Sequence, residues 1–196
     1  MVFLWIIPVP NFGNMKYLVI IVAICATLNT AAQKSYSEVL SMTKEVKIID
    51  RLYLDMPNLE KTELDETTAT RLFRKMYGGS DQLPHDTKYY ISGKITKHAD
   101  FDLLFLYAEK NSSDTAKDFN LMLLTTKKDG TQISMIEAAS NYHYMRNNKV
   151  QYRKTRSYLY NGFKIKQEND ISVMNKKYEM EYRINDYGMI VSYPKS

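Results

Sequence analysis

Histidine is the side chain most often recruited as a base or metal ligand near neutral pH, and the sequence holds three. His85 follows Pro84, His98 stands in Lys97-His98-Ala99-Asp100, and His143 lies between Tyr142 and Tyr144. No two of them are within a helical turn of each other, so neither HExxH nor any other paired-ligand spacing occurs. His98 could form an acid–base cluster with Asp100 and Asp102 if that segment folds back, since a neighbouring carboxylate keeps imidazole protonated to higher pH. A serine nucleophile needs a base and a strained turn to present it. The sequence has no GxSxG, and Ser35, Ser37, Ser41, Ser80, Ser112 and Ser113 stand in polar surroundings. Asp114 and Asp118 lack the DxDxDG order of a calcium loop. Carboxylates that meet only in space, as in glycosidases, are the remaining route to catalysis. No catalytic residue, metal ligand or cofactor is therefore assigned.

Tyrosine is the compositional excess, with 16 among 196 residues. Tyr142, Tyr144, Tyr152, Tyr158 and Tyr160 share one stretch with Arg146, Lys149, Arg153, Lys154 and Arg156. A rigid amphipathic ring beside a guanidinium can stack on a sugar or anchor a protein partner. The candidate binding residues are Tyr142, Tyr144, Arg153, Arg156, Tyr158 and Tyr160. Tyrosine also favours strands for packing reasons alone, so the direction in which these rings face decides between the two readings. Tyr142 and Tyr144 share one strand face, and so do Tyr158 and Tyr160.

The elements that must carry these residues are legible as a change of period. Val39, Met42, Val46 and Ile49 recur at three- and four-residue spacing, which predicts a helix over 35–50. After a break at 55–58, Asp65 offers an N-cap oxygen and Glu66 suits the positive end of a helix dipole. Ala69, Leu72, Phe73 and Met76 form an apolar stripe that stops at Gly78-Gly79, predicting a second helix over 66–77. From Tyr89 onward the alternation is that of strands, over 89–95, 101–109, 120–126, 132–138, 152–160, 163–167, 177–184 and 189–193. Leu103-Leu104-Phe105-Leu106 and Leu121-Met122-Leu123-Leu124 are apolar on both faces, as in central strands covered on both sides. Asp129-Gly130, Asn161-Gly162 and Asn185-Asp186-Tyr187-Gly188 supply tight turns. The sum is an α+β class: two N-terminal helices packed on a curved antiparallel sheet of seven or eight strands joined by short hairpins, with 33–196 as one domain.

The first 32 residues read differently. Met15-Lys16 opens a short positive region, Tyr17 to Ile24 carries no charge, and small residues lead to Ala31-Ala32-Gln33. That is the order of a cleavable signal peptide, with translation starting at Met15 and the cut after Ala32. Its apolar core is shorter than the roughly 20 residues a spanning helix needs. Residues 1–14 are apolar but hold Pro8 and Pro10, which break a helix; the competing reading is an interrupted anchor over 1–28. Cys25, the only cysteine, falls in this leader. Lipidation there is the weaker reading, because Ile24 before it is bulky. Cleavage removes that cysteine, and with it any disulfide or thiolate chemistry. The expected localisation is exported: periplasm, cell surface or secreted, without membrane attachment after cleavage. The formal charge of +5 comes from 27 basic and 22 acidic residues that interleave. Without a basic stripe, nucleic acid is not an expected partner.

The leader, the run Lys88-Tyr89-Tyr90-Ile91-Ser92-Gly93-Lys94-Ile95, the two leucine-rich strands, Lys128-Asp129-Gly130 and the closing Asp186-Tyr187-Gly188 together resemble small secreted proteins of unknown function from the Bacteroides group. The resemblance covers residues 55–194 and implies an exported address; it brings no active site. The expectation is a non-enzymatic domain that binds a partner protein or glycan at the cell envelope. The alternatives are an extracytoplasmic glycan or peptide hydrolase, and an inhibitor or immunity-type protein.

Overall fold

Ser35 opens the first helix with a reciprocal cap: its Oγ accepts the Glu38 amide, while the Glu38 carboxylate accepts the Ser35 amide. In the computed structural model, which describes residues 35–54, 60–79, 82–110, 118–146 and 149–193, this helix, α1, covers only Tyr36–Ser41. The expected leader over 1–32, with Met15 and Cys25, and the expected break at 55–58 lie outside the described residues. The expected helix over 35–50 is corrected by its own second half. Lys44 to Val46 runs along a strand edge instead, the Val46 amide donating to the Lys94 carbonyl at 2.7 Å and the Lys94 amide to that of Lys44 at 3.0 Å. Val46 packs into the core there, and Ile49, which helical spacing would have buried, is 85 % exposed. Then β1 (Arg51–Leu54) and β2 (Thr62–Glu63) follow, neither of them expected.

The second helix, α2, spans Glu66–Phe73 and starts as the sequence indicates, with the Asp65 carboxylate accepting the Thr68 amide at 2.9 Å. It ends four residues earlier than expected and passes through turns to Gly78 and Gly79, both with positive φ. Eight more strands follow: β3 (Thr87–Ile95), β4 (Asp102–Lys110), β5 (Asp118–Thr126), β6 (Gln132–Arg146), β7 (Lys149–Tyr160), β8 (Lys164–Ile171), β9 (Lys176–Ile184) and β10 (Ile190–Tyr193). Ten strands thus stand among the described residues, against the seven or eight expected.

All pairings between these strands are antiparallel, in the order β10-β9-β8-β7-β6-β5-β4-β3-β2, with β1 joined to β7 off that path. β7 is the branch point. Its first half pairs with β6, from Arg146↔Lys149 to Ser140↔Thr155, while its last four residues pair with β1. The sheet therefore folds over at Ser140, and the inner side of β7–β9 covers one face of β4–β6. Leu103, Phe105, Leu121 and Leu123 meet Leu54, Leu159, Ile165 and Ile184 in that core. The alternate residues Leu104, Leu106, Met122 and Leu124 pack on the other face against Val39, Leu72 and Phe73 of the helices. Two stacked cores explain why β4 and β5 are apolar on both sides.

Gly130 closes the β5–β6 turn at φ +88, and a Cβ there would sit 2.7 Å from the Tyr36 ring. The turn thus needs glycine both for its backbone conformation and for the approach of α1.

Burial holds several phenols neutral. The Tyr89 and Tyr107 hydroxyls are pushed well above the usual phenol range, chiefly by desolvation, helped at Tyr89 by Tyr77 and at Tyr107 by the charge of Glu109. A phenol whose folded pKa is raised contributes stability that is whole below its unfolded pKa, about 10, and is lost as pH rises toward the folded value. Unfolding free energy from urea melts should therefore fall above about pH 10, by about 1.4 kcal/mol per pH unit for each phenol still neutral in the fold. A flat profile up to about pH 11 would contradict this burial.

Candidate functional site

N-terminal to Ser140, β6 has no ladder partner on its β7 side, and unmet backbone groups at a buried edge are costly. Side chains of β7 and β8 satisfy two of them: Ser157 Oγ donates to the Ala138 carbonyl at 2.6 Å and Gln167 Nε2 to that of Glu137 at 2.7 Å. Thr155 and Asn169 extend this buried polar lining through a 3.1 Å bond. The Glu137 carboxylate accepts three donors on one oxygen, Ser140 Oγ at 2.8 Å, the Arg153 guanidinium at 3.0 Å and Thr155 Oγ1 at 3.1 Å. Arg153 is therefore engaged in closing the fold. Tyr142 stands cross-strand from it. Burial, then the negative charge of Glu137, pushes the Tyr142 phenol above its ordinary range. Tyr144, two residues on, is exposed.

The six candidate residues do not form one cluster. In a strand, residues an odd number apart face opposite ways, and the register puts Tyr142, Tyr144 and Arg153 on one side of the β6–β7 ribbon and Arg156, Tyr158 and Tyr160 on the other. The second group alternates with buried Thr155, Ser157 and Leu159 and so faces away from the core.

That outer face holds the most developed site geometry. Tyr53 of β1 pairs with Tyr158, their rings stacked at 4.9 Å and 30°. The Arg51 guanidinium lies 5.2 Å from the Tyr158 centroid, and Tyr160 is 6.5 Å from Tyr158. Tyr53 is 46 % exposed. The register continues the row across five strands: Tyr53↔Tyr158, Tyr158↔Lys166, Lys166↔Glu181 and Glu181↔Tyr193. The adjacent row carries Arg51↔Tyr160, then Lys164↔Arg183 and Arg183↔Val191. Lys164, Glu181, Arg183 and Tyr193 line one shallow depression. Sequence reading missed Arg51, Tyr53, Lys166, Arg183 and Tyr193. The signal for the first two was the polar–apolar alternation of Arg51-Leu52-Tyr53-Leu54, hidden by the helical spacing before it.

Several other titratable groups are held by structural partners. His98 stacks on Phe101 at 4.1 Å, and its Nδ1 accepts the Asp100 amide, while Asp102 is engaged by Lys128 and Tyr36. The suggested His98–Asp100–Asp102 cluster is thus not assembled as an acid–base pair. His143 Nδ1 lies 3.1 Å from Asp118. Outer-face acids are drawn into ion pairs, Lys164–Glu181 at 2.9 Å, Lys166–Glu179 at 3.2 Å and Lys177–Asp170 at 3.3 Å. Beside α2 a wider depression is lined by Arg71, Arg74 and Lys75. There Lys75 donates to the Gln132 and Ile133 carbonyls and Gln132 to those of Arg71 and Leu72, stapling helix to turn. Among the described residues no group of three or more His, Cys, Asp or Glu could hold a metal ion, and no helix is long and apolar enough to cross a membrane.

An antiparallel sheet folded over on itself, with an aromatic and cationic outer face, is the class that fold and site define. No family model matches the chain, and neither a curated protein nor a solved structure matches it.

Proposed function

We propose that the chain is an exported, non-enzymatic domain that binds a partner protein or a glycan at the cell envelope through the outer face of β1 and β7. The observation that carries this reading is the Tyr53–Tyr158 stack under the Arg51 guanidinium, left half-open to solvent. Stacked tyrosines are rigid, lose little entropy on binding and present both an apolar face and a hydroxyl. The charge–apolar–small order of residues 15–32 supports export.

The test compares wild type with a Tyr53→Ala/Tyr158→Ala double variant as bait for envelope proteins and glycans. Circular dichroism would check that both are folded. Loss of two central aromatic anchors should weaken retention by about tenfold or more. Equal retention of every component by the two baits would remove this face as the site. N-terminal sequencing of the product decides export: a chain beginning at Gln33 agrees with it, and an intact Met1 overturns it.

A further inference from the structure

We infer that the outer face takes a carboxylated linear glycan that lies across the strands, from Tyr53 on β1 to Tyr193 on β10; this rests on the binding reading above and names its ligand class. The first support is the row itself. Adjacent strands are about 4.8 Å apart, so five strands in register give a path of about 19 Å. Exposed aromatic rings stand at both ends of it, the Tyr53–Tyr158 stack at one and Tyr193, 58 % exposed, at the other. Rings at the two ends of a polar path suit a chain of repeated units better than a single small molecule, which would fill one end only.

Charge is the second support. Across the two rows stand Arg51, Lys164, Lys166 and Arg183 against a single carboxylate, Glu181. Lys164 is held by Glu181 and Lys166 by Glu179. Among the described residues neither Arg51 nor Arg183 is paired with a carboxylate. They stand on β1 and β9, near opposite ends of the path. Planar guanidinium groups match carboxylates through paired donors, so a chain bearing a carboxylate at intervals would meet one at each end. Geometry also selects the form of the ligand. Adjacent strands rotate by about 20–25°, so the row is a twisted ramp that suits a flexible soluble chain rather than a flat crystalline surface.

The test is titration calorimetry on the folded chain with three probes: oligogalacturonate, a neutral β-1,4-glucan oligosaccharide of the same length, and oligo-glutamate. The expected order puts oligogalacturonate tightest, with affinity falling as salt rises from about 0.05 to 0.5 M. Arg51→Gln and Arg183→Gln should each weaken it about threefold to fivefold. Tyr193→Ala should weaken it about as much as Tyr158→Ala, because the two anchor opposite ends. Equal binding of the neutral oligosaccharide, with both arginine variants unchanged and Tyr158→Ala impaired, would overturn the acidic ligand and leave the binding face standing. Binding of oligo-glutamate as tight as that of oligogalacturonate would overturn the glycan in favour of an acidic peptide. Absence of binding to all three would overturn the ligand class, and the retention experiment then decides the face by itself.

Discussion

Lys128→Met is expected to lower the free energy of unfolding by about 3 kcal/mol, the lower end for stripping the partner from a buried charge. Asp102 is 1 % exposed and accepts Lys128 Nζ on one oxygen at 2.6 Å and the Tyr36 hydroxyl on the other at 2.9 Å. Tyr36 also shares a 2.6 Å hydrogen bond with Thr126. Three segments meet in these bonds: α1, the start of β4, and the turn between β5 and β6. Without the ammonium, the carboxylate keeps one neutral donor and remains out of water. The reverse change, Asp102→Asn, should cost less, because the Lys128 side chain is 44 % exposed and can turn to solvent. Combining the two, Asp102→Asn/Lys128→Met should recover part of the loss, since a neutral amide tolerates burial better than a carboxylate. Urea melts of the three variants check this. A Lys128→Met protein as stable as wild type would mean the pair contributes nothing, as many exposed pairs do.

What the sequence made legible, and what it hid, follows from the range of the forces involved. The second helix could be read because its determinants are local: an Asp65 cap, an apolar stripe and a glycine stop. The strands from β3 onward could be read for the same reason, apart from β6 beyond residue 138, since period-two alternation, the apolar runs of β4 and β5, and the turns at Gly130, Gly162 and Gly188 are written into neighbouring residues. The first helix is shorter than its apolar spacing suggests because Val46 fits helical spacing, yet its amide gains a partner on the β3 edge and its side chain covers Gly93, where an added Cβ would be only 2.5 Å away. That partner is remote in sequence, so no local pattern announces it. The candidate binding residues divide the same way. Arg153 and Arg156 are three apart, and on a strand that separation alone sets them on opposite faces; closeness along the chain grouped what parity separates. The Tyr53–Tyr158 stack joins residues on β1 and β7, far apart in sequence, and has no sequence signal beyond the four alternating residues of β1.

Core and face are coupled through the same alternation, and Phe105→Ala tests that coupling. Phe105 is fully buried, opposite Gly93 on one side and Leu123 on the other. Its core includes Leu159, Ile165 and Ile184, the inward neighbours of Tyr158, Lys166 and Arg183 in the outer rows. Truncating a buried phenylalanine costs about 3–5 kcal/mol in lost transfer energy and residual cavity, against about 5–15 kcal/mol for the stability of a whole domain. Phe105→Leu should cost about 1 kcal/mol, because it keeps most of the volume. The cavity lies beneath β7, β8 and β9, so the strands that hold the rows in register lose their support. Phe105→Ala should therefore weaken ligand retention at a temperature where circular dichroism still reports a folded chain. Leu106→Ala offers the control, since Leu106 packs on the opposite face of β4 against the helices. It should cost about 2–5 kcal/mol in stability and leave retention unchanged in the folded protein. Equal losses of retention from both variants would show that the two cores yield together, and that the outer rows answer to global stability rather than to the packing directly beneath them.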